Sequence, residues 1–214
     1  MPISHAHRCI FIHIPKTGGT SIETALGMFY SWKEENTDAW FGKIQSPHWQ
    51  AQGWLTHYLQ HLSWTELSQV APPETLAHYA SFSWVRNPWD RMVSIYSNKD
   101  PDMLAHANAN GLKLKDLSFA DFIDATEDYQ HVHLRPQHQF ILDSQNKPQV
   151  NFIGRYENIA HDFAKITQKL NINAALPHKN ASTHPHYHNY YNDHSRKRIA
   201  TRYQQDIDAF QYRY

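Results

Sequence analysis

Cysteine, net charge and long apolar runs are what this 214-residue chain has least of. Its one cysteine, Cys9, excludes an intrachain disulfide framework, and its place inside an apolar run makes it a small buried hydrophobe. Twenty Lys and Arg balance twenty Asp and Glu, so the polyelectrolyte footprint of nucleic-acid binders is missing. Nucleic acid is therefore not an expected partner, and any anion must be met by local charge. No window approaches the roughly 18 uninterrupted apolar residues of a membrane-spanning helix. The apolar stretch 9–14 is too short for a signal-peptide core and carries His13. These absences lead us to expect a soluble, cytoplasmic protein without a transmembrane segment.

What the chain does have is a core. Hydrophobic residues make up 41% and aromatics 14%, a globular rather than a disordered composition, and the length fits a single domain over residues 1–214. Three times a short apolar strand runs through a turn into an amphipathic helix. "RCIFIHI" leads through "PKTGGT" to a helix starting near Gly19, with Ile22, Ala25, Leu26 and Phe29 on one face. "HYASFSWV" leads through "RNPWD" to "RMVSIYSN", with Pro88 where a first helical turn tolerates it. The third strand ends near Gly154 and precedes a helix with Ile159, Phe163, Ile166 and Leu170 inward. Strand, turn and helix repeated in this way predict an α/β fold with a parallel sheet. Between these units, "SWTEL" from Ser63 is a capping box opening a short helix, which Pro72 and Pro73 end. "SFADFIDA" from Ser118 is a further helix, and Ile199, Tyr203, Ile207 and Phe210 predict a closing helix packed on the sheet. Residues 30–60 show no clean period and read as loops and short helices, as a substrate-facing insertion would.

Two of the turns carry chemistry. In "FIHIPKTGGTSIETAL" the backbone N–H groups of a glycine-containing turn meet the start of a helix, and Lys16 adds a full charge, which together suit an anion. The ATP-binding pattern GxxxxGK[ST] is absent, because Lys16 precedes Gly18 and Gly19, and no acidic strand end follows to hold Mg²⁺. The alternative for this stretch alone is a tight turn with a solvated lysine. In "VRNPWDRMVSIY", Arg86 ends a strand, and Ser94 and Tyr96 lie two turns into the next helix. In a parallel sheet both turns lie at the carboxyl edge, where open α/β folds bind ligands, and the planar fork of Arg86 suits a phosphate.

With these residues in place the chain is similar to the sulfotransferases that use 3′-phosphoadenosine 5′-phosphosulfate (PAPS), in particular the branch with carbohydrate 2-O-sulfotransferases and small bacterial relatives. "IPKTGGTSIE" resembles the family's 5′-phosphosulfate loop, and "FSWVRNPWDRMVSIY" its 3′-phosphate motif. "NFIGRYENI" and "LPHKNASTHPHYHNYYND" resemble its later strand and closing loop, so the likeness runs from Arg8 to the C-terminus. The resemblance implies a P-loop-like three-layer fold, a central parallel sheet flanked by helices. It implies that Lys16, Thr17, Gly18, Gly19, Thr20 and Ser21 wrap the 5′-phosphosulfate, that Arg86 and Ser94 bind the 3′-phosphate, and that Arg155 lies near the nucleotide. "QHLSWTEL" resembles the segment in which a histidine precedes a short helix, which nominates His61 as the base beside Lys16. The implied donor is PAPS with no metal required, and the implied partner is a small-molecule or carbohydrate acceptor hydroxyl. Oligomeric state is not readable from these residues.

Other readings stay open at this level. A P-loop-type nucleoside or sugar kinase shares the plan, and a non-catalytic nucleotide-binding module would keep the loop without a base. His13, His48, His57, Glu34 and Glu35 compete with His61. "HPHYH", with His184, His186 and His188, invites zinc but fits a solvated or ligand-covering loop better. Trp40, Trp49, Trp54 and Trp64 could stack a sugar or pack the core. Arg135 and Arg155 could equally be surface or ion-paired residues.

Overall fold

The computed structural model describes residues 2–177 and 185–214. Contacts group the chain into two compact units, Met1–Val85 with Gln137–Asn180, and Arg86–Pro136 with Ala181–Tyr214. Each unit has its own core.

Among the described residues the first unit holds one sheet of four strands: β1 (Ile3–Ser4), β2 (Cys9–Ile12), β3 (Ala80–Val85) and β4 (Phe152–Arg155), neighbours in that order. β2, β3 and β4 run parallel, with Phe11 beside Phe82 and Val85 beside Arg155. β1 adds an antiparallel edge through Ile3 and Ile10. All four residues of β2 are buried, the pattern of a strand covered on both faces. Burial pushes the Cys9 thiol up to about 12. The helices of this unit are α1 (Gly19–Ala25), α2 (Pro47–Gln50), α3 (Trp64–Ser68), α4 (Pro73–His78), α8 (His138–Ile141) and α9 (Ile159–Lys169). Phe163 and Ile166 of α9 join Phe11, Ile22, Leu26, Phe82 and Trp84 in one cluster. The fold is thus α/β, a mostly parallel sheet flanked by helices.

The second unit is helical: α5 (Pro88–Asn98), α6 (Pro101–Ala109), α7 (Phe119–Ala125), α10 (Asp193–Arg202) and α11 (Gln204–Phe210). Its core gathers Trp89, Met92, Val93, Phe119, Phe122, Ile199 and Tyr203. Arg91 lies inside it, 2% exposed, donating from its terminal nitrogens to the carbonyls of His133 (2.9 Å) and Arg135 (3.2 Å). The Tyr203 hydroxyl donates to the Leu134 carbonyl at 2.9 Å. Three consecutive carbonyls of a turn are satisfied in this way without water.

Several boundaries differ from expectation. Phe29 is not on the α1 face: Gly27 takes φ +65°, and the N–H groups of Gly27 and Met28 donate to Thr24 and Glu23 carbonyls, closing the helix in a Schellman motif. Phe29 is left 43% exposed. Pro73 opens α4 as its first residue, a role a proline suits as well as stopping a helix. The closing helix is two helices, broken at Tyr203, and its inward Ile199 and Tyr203 pack with α5 and α7 residues. The capping box at Ser63 forms as expected, with Ser63 and Glu66 bonded reciprocally.

One glycine of the sheet has a packing reason. A Cβ on Gly154 would come within 2.4 Å of Trp84 Nε1, so the empty position lets the buried indole lie across β4. Gly154→Ala is expected to lower stability by about 1–3 kcal/mol through overpacking, measured by urea denaturation; an unchanged midpoint would show that Trp84 has room to move.

Candidate active site

The carboxyl ends of the parallel strands carry the candidate residues of the first unit. β2 stops at Ile12, and the chain continues through His13, Ile14 and Pro15 to Lys16, which takes φ +70°. Gly18 takes φ +85° and caps α1. Left-handed residues alternating with ordinary ones turn backbone N–H groups toward a common concave side, an arrangement that receives anions. α1 has no acidic residue in its first turn to repel one. Thr17 is wholly buried, its hydroxyl donating to the Ile14 carbonyl at 2.9 Å. Its side chain braces the turn from inside. Lys16 and Thr20 are half-buried, and Ser21 is 8% exposed with its N–H donating to the Gly18 carbonyl.

The two glycines do different things. Gly18 supplies the left-handed turn, and a Cβ there would also strike Ile159 (2.7 Å) and the Tyr156 ring (3.1 Å), so the segment after β4 lies against the loop. Arg155 is the last residue of β4, and its N–H donates to the Asp162 carboxylate at 2.8 Å. Gly19 has no Cβ because the His13 ring fills that space: Cδ2 and Nε2 would each be 2.2 Å away.

His13 is the hub. Its Nδ1 lies 2.6 Å from Glu23 Oε1, a carboxyl of α1 that is 0% exposed and whose other oxygen is buried without a hydrogen-bond partner. Burial, with the Lys16 charge among the lesser causes, holds the imidazole down to about 3, and burial raises the Glu23 carboxyl well above its ordinary value. Burial thus disfavours the charged form of each group, and in a neutral pair the carboxylic acid donates to Nδ1 while the imidazole proton sits on Nε2. An ionised Glu23 would leave an unsolvated lone oxygen in the core.

The backbone of the same residue holds His61. His61 ends the 3-10 turn Leu59–His61, just ahead of Ser63, and is 5% exposed. Its Nδ1 lies 3.1 Å from the His13 carbonyl oxygen, and the two rings meet edge to face at 4.7 Å. A carbonyl only accepts, so Nδ1 must carry the proton, and in the neutral ring the lone pair is then on Nε2. That is the tautomer a general base needs.

The competitors are placed otherwise. Glu35 accepts from Gln45 N–H (2.5 Å), Ser46 N–H (2.9 Å) and the Ser46 hydroxyl (2.8 Å). Burial pulls its carboxyl up, but these hydrogen bonds outweigh that and hold it below the usual value. It staples a loop. Glu34, His48 and His57 are exposed. Trp49 and Trp54 stack at 5.6 Å, with Trp40 buried against Trp49. Trp64 is half-buried at the start of α3. His186 and His188 pack at 4.6 Å, and His188 stacks on Tyr214; His184 lies outside the described residues. Among the described residues no group of three or more His, Cys, Asp or Glu is placed to hold a metal ion. No described helix is long and apolar enough to cross a membrane.

In the second unit, Arg86 is 4% exposed and its Nε donates to Asp90 Oδ2 at 2.8 Å, which sets the plane of the guanidinium. Asn87 caps α5 by accepting from Trp89 N–H, and its amide donates to the Arg213 carbonyl. Ser94, 7% exposed, lies one helical turn beyond Asp90 on the same face of α5. Arg135 offers its carbonyl to Arg91. Glu23 is the residue that sequence reasoning missed; a carboxylate flanked by Ile22 and Leu26 on a buried helix was its only signal.

The neutral pair has a signed pH consequence. His13 has a folded pKa of about 3, below the ordinary value near 6.5, so it costs stability as pH falls between those values. Glu23 has a raised folded pKa, so its contribution is full below about pH 4.5 and is lost as pH rises toward the folded value. Glu23→Gln keeps an uncharged donor to Nδ1 and removes the second loss. Its melting temperature is expected to fall less between pH 5 and pH 9 than that of the unaltered protein; parallel curves would mean that Glu23 is ionised in the folded state.

The chain has relatives among known proteins. One relative is an uncharacterized protein of Archaeoglobus fulgidus, 33% identical over 94 residues, which cover 44% of this chain and 69% of that protein. A sequence model of the sulfotransferase family matches residues 1–213, both units together. With nearly its whole length matched, this chain belongs to the sulfotransferase family and is a sulfotransferase enzyme.

Proposed function

We propose that the protein moves the sulfuryl group of PAPS to the hydroxyl of a carbohydrate or other small acceptor, with His61 as general base. The observation that carries this reading is the position of His13: its ring fills the space above Gly19 of the anion loop, and its carbonyl fixes the His61 tautomer. One residue thus ties the base to the loop.

PAPS fits the residues present. The loop has left-handed turns at Lys16 and Gly18 and no first-turn acid, which suits the phosphosulfate end. Arg86 and Ser94 are assigned the 3′-phosphate, and Arg155 a place near the nucleotide at the end of β4. His61 Nε2 takes the proton of the acceptor hydroxyl as its oxygen bonds to sulfur, and the bond from sulfur to the 5′-phosphate oxygen breaks. The products are the sulfate ester and adenosine 3′,5′-bisphosphate, with the proton left on His61. Charge grows on the leaving oxygen, and Lys16 with the loop N–H groups is suited to stabilise it where it forms. Such a transfer needs no metal for its charge balance.

Adenosine 3′,5′-bisphosphate is expected to raise the melting temperature more than ADP at equal concentration, and Arg86→Ala to erase the difference. Equal shifts with both nucleotides in the unaltered protein would sink the donor assignment. His61→Ala is expected to bind the bisphosphate normally and lose acceptor-dependent transfer by about two to four orders of magnitude. Full turnover in that variant would move the base elsewhere. Lys16→Ala should lower turnover at saturating donor more than it weakens donor binding; the reverse pattern would make Lys16 a binding residue only.

A further inference from the structure

Beside His61 lies an aromatic surface made by none of the residues assigned to the donor. After the Schellman stop of α1 the chain buries Met28 and then presents Phe29 (43% exposed) and Tyr30 (40% exposed) outward. Both rings rest on Phe41, which is wholly buried, at 5.6 and 5.8 Å. Trp32, half-buried, continues the surface inward: its ring centroid is 5.7 Å from Phe29, 5.1 Å from Phe41 and 5.9 Å from Tyr58. Trp32 and Tyr58 each come within 6.4 Å of the His61 ring. A continuous row of rings therefore runs from solvent to the base.

The row is held firmly. Gly42 takes φ +92°, and a Cβ on it would overlap the Glu34 carbonyl oxygen and lie 3.1 Å from that of Ser31, so only glycine lets the 31–34 backbone close over this strand-like turn. Gly42 N–H donates to the Gln60 side chain (2.9 Å), and its carbonyl accepts from Leu59 N–H (3.0 Å). Asn36 and Phe41 exchange backbone hydrogen bonds of 2.8 and 2.9 Å. The Trp32 segment and the turn that carries His61 are thus clamped to the same residue. Exposed aromatics on a pinned backbone are a prepared surface, since little side-chain or loop entropy is lost when a ligand covers them.

Charge narrows what that ligand is. Residues 28–58 contain Lys33 and Lys43 against Glu34, Glu35 and Asp38, and Glu35 is committed to Ser46 and Gln45. That segment offers a polyanion no cationic cluster, whereas an uncharged ring with an apolar face suits Trp32 and Tyr58, whose rings each lie 6.4 Å from the His61 ring.

Building on the proposed function, we propose that Phe29, Trp32 and Tyr58 form the acceptor subsite, and that it takes an uncharged six-membered ring bearing the reacting hydroxyl. A neutral glycoside and a simple phenol both supply that chemistry. The test uses the full chain with PAPS and three acceptors: a methyl glycoside, 4-methylphenol and a disulfated disaccharide. One of the two neutral acceptors is expected to be sulfated in preference to the disaccharide, and which one identifies the source of the ring. Trp32→Ala should raise KM for that acceptor about tenfold, with kcat changed much less and bisphosphate affinity by calorimetry unchanged. Trp32→Phe, which keeps a ring and guards against simple misfolding, should recover most of the loss. Preference for the disulfated disaccharide, or an unchanged acceptor KM in Trp32→Ala, would overturn the subsite. Failure of the unaltered protein to bind the bisphosphate at all would instead overturn the donor assignment on which the subsite rests.

Discussion

A single imidazole packed where a glycine has no side chain organises the carboxyl edge of the sheet. The His13 ring occupies the volume beside Gly19, its Nδ1 takes the Glu23 hydrogen bond, and its carbonyl holds His61. These contacts fasten the end of β2 to the helix that follows and to a turn nearly fifty residues later in the chain. Burial disfavours a charge on either group, and their 2.6 Å contact gives the pair its internal partner. Burial is thus both the cause of the neutral pair and the condition for its persistence.

The division of labour between the glycines follows from that packing. Gly18 answers a backbone requirement, a left-handed turn, while Gly19 answers a volume requirement imposed by the His13 ring. Lys16 shares the left-handed geometry without being glycine, at a cost of about 1–3 kcal/mol for such a residue, and strain of this kind collects at sites where the turn itself is useful.

Much of this was legible from residue order. The three strand-turn-helix units follow from apolar periodicity, and the cap at Ser63 follows from local hydrogen-bonding chemistry that depends on few neighbours. Lys16, Gly18 and Gly19 stood out from the turn itself, whereas His61, one of seventeen histidines, was singled out by the family resemblance alone. Tertiary effects were harder to see. Phe29 fits the helical period, and only the left-handed state of Gly27 ends the helix before it. Glu23 reads as a surface acid until His13 is known to face it. The break at Tyr203 is invisible to a period that continues unbroken through Phe210. The two-residue strand β1 is too short to carry any period at all.

Cys9 lies at the start of β2, an interior strand of the sheet, with no exposed surface and a thiol pushed up to about 12. Such a sulfur offers electrophiles almost no thiolate at neutral pH, and they have no path to it. Because it is also the one cysteine of the chain, the folded protein is a blank background for thiol chemistry: a cysteine placed on the exposed Phe29–Tyr30 turn would take a fluorophore or spin label alone, without first stripping the natural sulfur from the core.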